Sequence, residues 1–274
     1  MRHLFILYIL CCFTNLSADT LSYITKRDIP YLSASVKEKH DAYRVERCKL
    51  DVYYPENKKN FPTVVFFHGG GLEGGEKYIP KELLEKGIAV VSPNYRLSPN
   101  VHHPAYIKDA AEAVAWTLSN IDSLGGDPSQ IYLSGHSAGG YLTLMLALDK
   151  QYLEAVNADA DSLAGFIPLS GQTNTHYTIR KERNERPLIP VIDEYAPIYH
   201  ARRLHAPIWL ITGDRQKELL ARYTENLHLQ DILIGVGNNP DNVLLYELNG
   251  FDHGTMVAPG CYLLLEMVLK NGKQ

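Results

Sequence analysis

The sequence predicts an α/β fold: a mostly parallel central sheet flanked by helices, with a small cap region. Three observations carry this. Short apolar, β-branched runs recur along the chain; each ends abruptly in Gly, Ser, Asp or His; and amphipathic segments with helical spacing lie between them. Continuous apolar runs suit strands covered on both faces, and their alternation with helices indicates βαβ units. Ligands of such sheets sit at the carboxyl ends of the strands, where the polar residues gather here.

The elements follow in order. Residues 19–45 have mixed character and read as an N-terminal arm. Lys49 to Tyr54 alternates and stops at Pro55, as a strand does. Thr63 to Phe67 is a buried-strand run that breaks at His68-Gly69-Gly70-Gly71. Further strands are expected at Ile88 to Val91, Ile131 to Leu133, Gly165 to Leu169, Ile208 to Thr212 and Val243 to Leu248. Ile107, Ala110, Ala111, Val114, Ala115 and Leu118 share one helical face just after Pro104. Tyr141 to Leu148 and Tyr262 to Lys270 also read as helices. Leu219, Leu220, Tyr223 and Leu227 are expected to form the apolar face of another. Residues 172–204 break the rhythm. They are polar and carry Pro187, Pro190 and Pro197, which suits a small cap over the site.

Length and composition limit the rest. The 274 residues suit one large domain, with hydrophobic residues at 45% and charged residues at 21%. Net charge is −4 and no uninterrupted basic block occurs, so a nucleic-acid partner is not expected. Arg180 to Arg186 is the nearest candidate; acids interrupt it, and it reads as a solvated face rather than an anion site.

Met1-Arg2-His3, an apolar run from Leu4 to Phe13, and a small polar stretch ending at Ala18 have the layout of a secretory signal peptide. Ten apolar residues rise about 15 Å as a helix, roughly half a bilayer core. Cleavage near Ala18 is therefore expected, giving a secreted or periplasmic domain, 19–274, with no membrane span. Cleavage would leave Cys48 and Cys261. Export permits a disulfide between them, but two cysteines in a domain of this size read as packed thiols.

The chemistry concentrates at Gly135-His136-Ser137-Ala138-Gly139. A strand run precedes it and a helical segment follows, the context a G-x-S-x-G elbow requires. Ser137 is the candidate nucleophile. A serine hydroxyl needs a base, and the base needs orienting. His253 lies between the last strand and the last helix, flanked by Gly250 and Gly254, and is the candidate base. Asp214, at the end of the Ile208 to Thr212 strand, is the candidate acid. Asp193, Glu194 and Glu218 compete with it, and Asp252 reads as a loop former. Backbone N–H groups of Gly70, Gly71 and Ala138 are the candidate oxyanion donors. The glycine run is no phosphate loop, because no Gly-Lys-Ser/Thr follows it. His68 reads as holding its loop, Arg96 and Asp109 as an ion pair, and His136 as pointing away from the serine. His102-His103 lacks a matching ligand cluster for a metal, and a serine mechanism needs neither a metal nor an organic cofactor, so none is expected.

Phe66-Phe67-His68-Gly69-Gly70-Gly71, Asn94-Tyr95-Arg96-Leu97-Ser98-Pro99, Gly125-Gly126-Asp127-Pro128, Ser134 to Gly140, and the Asp214 and His253 loops together resemble the α/β-hydrolase superfamily. The likeness spans roughly residues 46–270. It is nearest to hormone-sensitive-lipase-like carboxylesterases and the bacterial feruloyl- and acetyl-esterase group. His136 stands where many hormone-sensitive-lipase-like members have an acid, which favours the bacterial esterase group. The resemblance implies a serine carboxylesterase acting on short-acyl or aryl esters, including acetyl or feruloyl groups on carbohydrates. An amidase or formamidase, of the kynurenine-formamidase kind, would use the same machinery. A hydrolase-fold binding protein without activity would instead show a damaged triad or glycine loop, and both are intact. The charge-rich 172–204 segment favours soluble small-molecule or carbohydrate-linked esters over lipid emulsions.

Overall fold

A computed structural model of the chain describes residues 20–32 and 42–271. The expected signal peptide therefore lies outside the described residues. Eight strands form one sheet in the order β1-β2-β4-β3-β5-β6-β7-β8. They are β1 (Tyr23–Pro30), β2 (Lys49–Pro55), β3 (Phe61–Phe67), β4 (Ala89–Pro93), β5 (Gly126–His136), β6 (Gly165–Leu169), β7 (Ile208–Gly213) and β8 (Val243–Leu248). β1 and β2 pair antiparallel to each other, and β2 pairs antiparallel to β4. Every pairing from β4 through β8 is parallel.

The helices are α1 (Ala42–Arg47), α2 (Ala105–Leu124), α3 (Ala138–Leu148), α4 (Gln151–Glu154), α5 (Tyr177–Glu182), α6 (Arg222–Gly235) and α7 (Val257–Asn271). Side chains of a strand alternate between faces, so each strand feeds two cores. Val65, Phe67 and Leu133 pack with Ala110, Val114, Leu142 and Met145 from α2 and α3. Val64, Phe66, Tyr132 and Ile167 pack on the opposite face with Leu264, Met267 and Val268 from α7. This double burial explains why the central strands read as unbroken apolar runs. Cys48 belongs to the first core and Cys261 to the second, and both are free buried thiols.

Two sequence expectations change. The N-terminal arm contains an edge strand, β1, whose Lys26, Arg27 and Asp28 are exposed and whose pairing with β2 shifts register between Lys26 and Ile29. Charge and irregularity protect a free edge and also erase the hydrophobic signature of a strand. The second change concerns α6. Its buried face is Arg222, Asn226, Leu229 and Leu233, while Leu219 and Leu220 lie before the helix and are exposed. Two polar residues on the buried face hid the period.

The strand ends place the site. Phe67 of β3 pairs with Gly135 of β5, and His136 pairs with Leu169 of β6. The Ser137 N–H donates to the Leu169 carbonyl at 2.8 Å, and α3 starts at the next residue. The turn brings α3 against the end of β3 so closely that a Cβ on Gly139 would lie 2.1 Å from the Phe67 carbonyl oxygen. Among the described residues no helix is long and apolar enough to cross a membrane.

Two expectations for stability follow. Gly139→Val forces backbone apart at this crossing and should cost at least ~1–3 kcal/mol of overpacking strain, read as a lower urea midpoint. A midpoint equal to the wild type would contradict the close approach. Burial also holds the imidazoles of His68 and His136 down to about 4, and that of His176 well below its ordinary range. The unfolded chain then binds more protons than the folded one once pH drops below about 6.5. Stability should fall from there to about pH 4, measured by urea unfolding at a series of pH values. A constant midpoint over that window would contradict it.

Candidate active site

Ser137 occupies the corner between β5 and α3 with φ 57° and ψ −113°. Positive φ is unfavourable for a residue with a Cβ and persists where surrounding structure enforces it. Here the bond to Leu169 precedes the serine, and the Ser137 carbonyl accepts from Tyr141 N–H at 2.9 Å, the first turn of α3.

Ser137 Oγ lies 2.9 Å from His253 Nε2. The imidazole's Nδ1 lies 2.5 Å from Glu218 Oε1 and 3.0 Å from Ser170 Oγ. Serine, imidazole and carboxylate thus form one hydrogen-bonded chain across three strand ends. Sequence reasoning preferred Asp214 as the acid, and the geometry corrects this. Asp214 Oδ1 accepts from Gln216 N–H at 2.9 Å and Oδ2 from Gly250 N–H at 2.8 Å. Both its oxygens serve backbone, so Asp214 closes its own turn and ties it to the His253 loop. Asp193 is committed elsewhere, to Thr175 and Arg183.

Glu218 reaches the imidazole because its turn folds back. Its N–H donates to the Asp214 carbonyl at 2.8 Å, which brings its side chain under the end of β7. The side chain has no solvent exposure. Burial pushes its carboxyl up, but His253, the Leu219 N–H and the Ser170 hydroxyl outweigh this and hold Glu218 down at about 2. Gly213 N–H adds a further donor at 3.1 Å. Four donors on one buried carboxylate keep it ionised and fixed.

The base sits in a loop pinned from several sides. Asp252 Oδ1 accepts from the Gly254 and Thr255 N–H groups, the loop-forming role expected of it. His136 Nε2 lies 2.8 Å from the His253 carbonyl, so its side chain turns from the serine and braces the base. Ser170, immediately after β6, also has positive φ, 52°. Neither Ser170 nor this role of His136 was identified from the sequence. The first has no motif, and the second lies within the elbow, where the nucleophile takes attention.

The glycine loop lies against the serine. A Cβ on Gly69 would sit 3.4 Å from Ser137 Cβ. Gly70 (φ 111°) and Gly71 (φ 66°) adopt backbone that favours glycine. The Gly70 carbonyl accepts from Glu73 and Gly74, and the Gly71 carbonyl from Thr178 Oγ1 at 2.5 Å. The N–H groups of Gly70, Gly71 and Ala138 find no acceptor among the described residues. His68 anchors the loop by stacking on Tyr95, with ring centroids 4.3 Å apart, and by an Nδ1 contact of 2.7 Å to the Gly69 carbonyl. Arg96 and Asp109 form a buried two-point ion pair at 2.8 and 2.9 Å.

The Arg180 to Arg186 segment departs from the expected solvated face: Arg180 is only 3% exposed. His103 contacts Glu182 at 2.7 Å. Among the described residues no cluster of three or more His, Cys, Asp or Glu could hold a metal.

Known proteins share this frame. A truncated carbohydrate esterase from gut microbiota superposes with a TM-score of 0.75 at 17% identity, covering 94% of this chain and 99% of that one. An isoprenylcysteine alpha-carbonyl methylesterase of Arabidopsis thaliana is 26% identical over 198 residues, 69% of this chain and 42% of that protein. The carboxylesterase NlhH of Mycobacterium tuberculosis is 40% identical over 102 residues, 35% of this chain and 32% of its own length. This chain thus spans less than half of either relative. The structural likeness establishes the α/β-hydrolase fold. The family model BD-FAE matches residues 50–202, more than half of the sequence, and the chain belongs to the BD-FAE family.

Proposed function

We propose that the protein is a serine carboxylic ester hydrolase. The observation that carries this reading is the continuous Ser137–His253–Glu218 hydrogen-bonded chain at the carboxyl ends of the strands. In it Ser137 Oγ attacks the ester carbonyl as its proton passes to His253 Nε2. Glu218 keeps the Nδ1 tautomer and stabilises the imidazolium. The N–H groups of Gly70, Gly71 and Ala138 receive the oxyanion. The imidazolium returns its proton to the departing alcohol, and water cleaves the acyl-enzyme by the same route.

The substrate class is short-acyl or aryl esters, with acetyl or feruloyl groups on carbohydrates the favoured natural source. The gut-microbiota neighbour named as a carbohydrate esterase supports that choice. Residues 172–204 are the cap, and a signal peptide over residues 1–18 gives the domain a secreted or periplasmic address.

Purified protein should hydrolyse 4-nitrophenyl acetate or butyrate, and Ser137→Ala should lower kcat by ~10³-fold or more. Equal rates in both proteins would remove Ser137 from the mechanism. Glu218→Gln should lower kcat by ~10²–10⁴-fold with little change in KM, whereas Asp214→Asn should stay within about threefold of wild type. The reverse order would restore Asp214 as the acid. Because Glu218 is held at about 2, it remains ionised in mild acid, and the acid limb of kcat/KM should report protonation of the base alone. Activity should fall toward acid with a single-proton slope; a flat profile from about pH 5 to 8 would contradict an imidazole base.

A further inference from the structure

Near the glycine loop the surface opens into a cavity of about 620 Å³. Its walls come from residues 172–190 and from the turn and first residues of α6. It meets the site at two places. The Tyr177 hydroxyl, on its wall, lies 1.9 Å from where a Cβ on Gly71 would stand. Arg222, also on its wall, donates to the carbonyl of Ser170, whose hydroxyl contacts both His253 and Glu218. The cavity therefore adjoins the glycine loop and the base through its wall residues.

The cavity is apolar at its rim and basic inside. Leu188 and Leu220 are 77% and 79% exposed, an unusual display of large aliphatic side chains. The interior holds Arg180 and Arg222, only 3% and 5% exposed. A guanidinium carries five N–H donors and stays charged. Arg180 uses Nη1 on the Ile189 carbonyl, while its Nε is buried without a hydrogen-bond partner. Neither arginine forms an ion pair among the described residues. Glu225 is the one carboxylate on the wall, and burial pushes its carboxyl up. Two further acids lie near: Glu185, 3.9 Å from Arg183 and with one buried carboxylate oxygen unbonded, acts on Arg180, and Glu218, bonded to His253, acts on Arg222. Arg180 and Arg222 thus share the field of Glu225, with no carboxylate at ion-pair distance among the described residues, and their guanidinium groups donate to backbone carbonyls.

We infer that this cavity recognises a carboxylate carried by the substrate away from the scissile carbonyl, with Arg180 and Arg222 as its donors. The inference rests on the reading of Ser137 as nucleophile. Planar guanidinium groups suit a carboxylate through paired hydrogen bonds, and the apolar rim suits the carbon chain or ring that bears it. The carboxylate can belong to either half of the ester. On the acyl side it makes the substrate a half-ester of a dicarboxylic acid. On the alcohol side it makes it an acylated acidic sugar or hydroxybenzoate.

The test uses two matched pairs. 4-Nitrophenyl hemiglutarate is compared with neutral 4-nitrophenyl valerate, and 4-acetoxybenzoate with its neutral methyl ester. In one pair the acid should be favoured in kcat/KM by ~10-fold or more, the scale of one or two charged hydrogen bonds. Arg180→Met, which keeps the aliphatic stem, should lower the acid's value at least ~10-fold more than its neutral partner's. Preference in the first pair assigns the cavity to the acyl group, and preference in the second to the alcohol. Neutral esters equal or better in both pairs would overturn the inference, as would a preference that survives Arg180→Met. A thermal melt of the variant separates misfolding from lost recognition. If no ester is cleaved, the reading of the nucleophile fails. Titration calorimetry with glutarate and benzoate on the wild type then decides the cavity alone: binding that Arg180→Met weakens supports it, and no binding overturns it.

Discussion

The Phe67 carbonyl occupies space that any side chain at position 139 would need, and this contact sets the geometry of everything above the sheet. Because Gly135 and Gly139 present no Cβ, α3 can start directly over the end of β3. The corner between β5 and α3 is only one residue long, and Ser137 must take positive φ to turn it. The strain and the function have the same origin. A relaxed turn would lay the serine along the strand, whereas this one lifts its hydroxyl to within 2.9 Å of the imidazole. The same corner leaves the Ala138 N–H free at the positive end of a helix, beside the glycine loop that follows β3.

A fixed nucleophile is of use only if its partners are fixed too, and here the fixing is done by loops bonded to one another. Asp214 holds Gly250, its N–H donates to the Phe251 carbonyl, and His136 reaches the His253 carbonyl. The turn carrying the acid and the loop carrying the base are thus joined by hydrogen bonds from both the main chain and the side chain of Asp214. Glu218 then completes the alignment from a side chain wholly removed from water. Low exposure strengthens its grip on Nδ1 and removes competing water. Asp214 therefore remains structurally important to the site while standing outside the hydrogen-bonded chain to the serine.

Much of this was legible in the sequence. The strand runs, the elbow at Ser137, the loop histidine and the glycine run each have a local pattern tied to a local conformation. The acid was missed for a reason that is also physical. A residue directly after a strand is the natural choice, and Asp214 holds that position. The turn from Asp214 to Glu218 is closed by main-chain bonds that any residues could make, so no pattern announces that it delivers the fifth residue instead of the first. The edge strand β1 and the polar inner face of α6 were obscured similarly: Lys26, Arg27, Arg222 and Asn226 take positions where hydrophobic periodicity expects otherwise. Arg180 reads as surface charge until the fold buries it.

The active site depends most on Glu218, not Asp214, holding the imidazole of His253. Proton NMR of protein labelled with ¹⁵N-histidine observes that contact directly, through the Nδ1–H of His253. Wild type and Asp214→Asn should both show a far-downfield resonance coupled to this nitrogen, and Glu218→Gln should lose it or move it strongly upfield. Loss of the resonance in Asp214→Asn, with Glu218→Gln unchanged, would contradict the account.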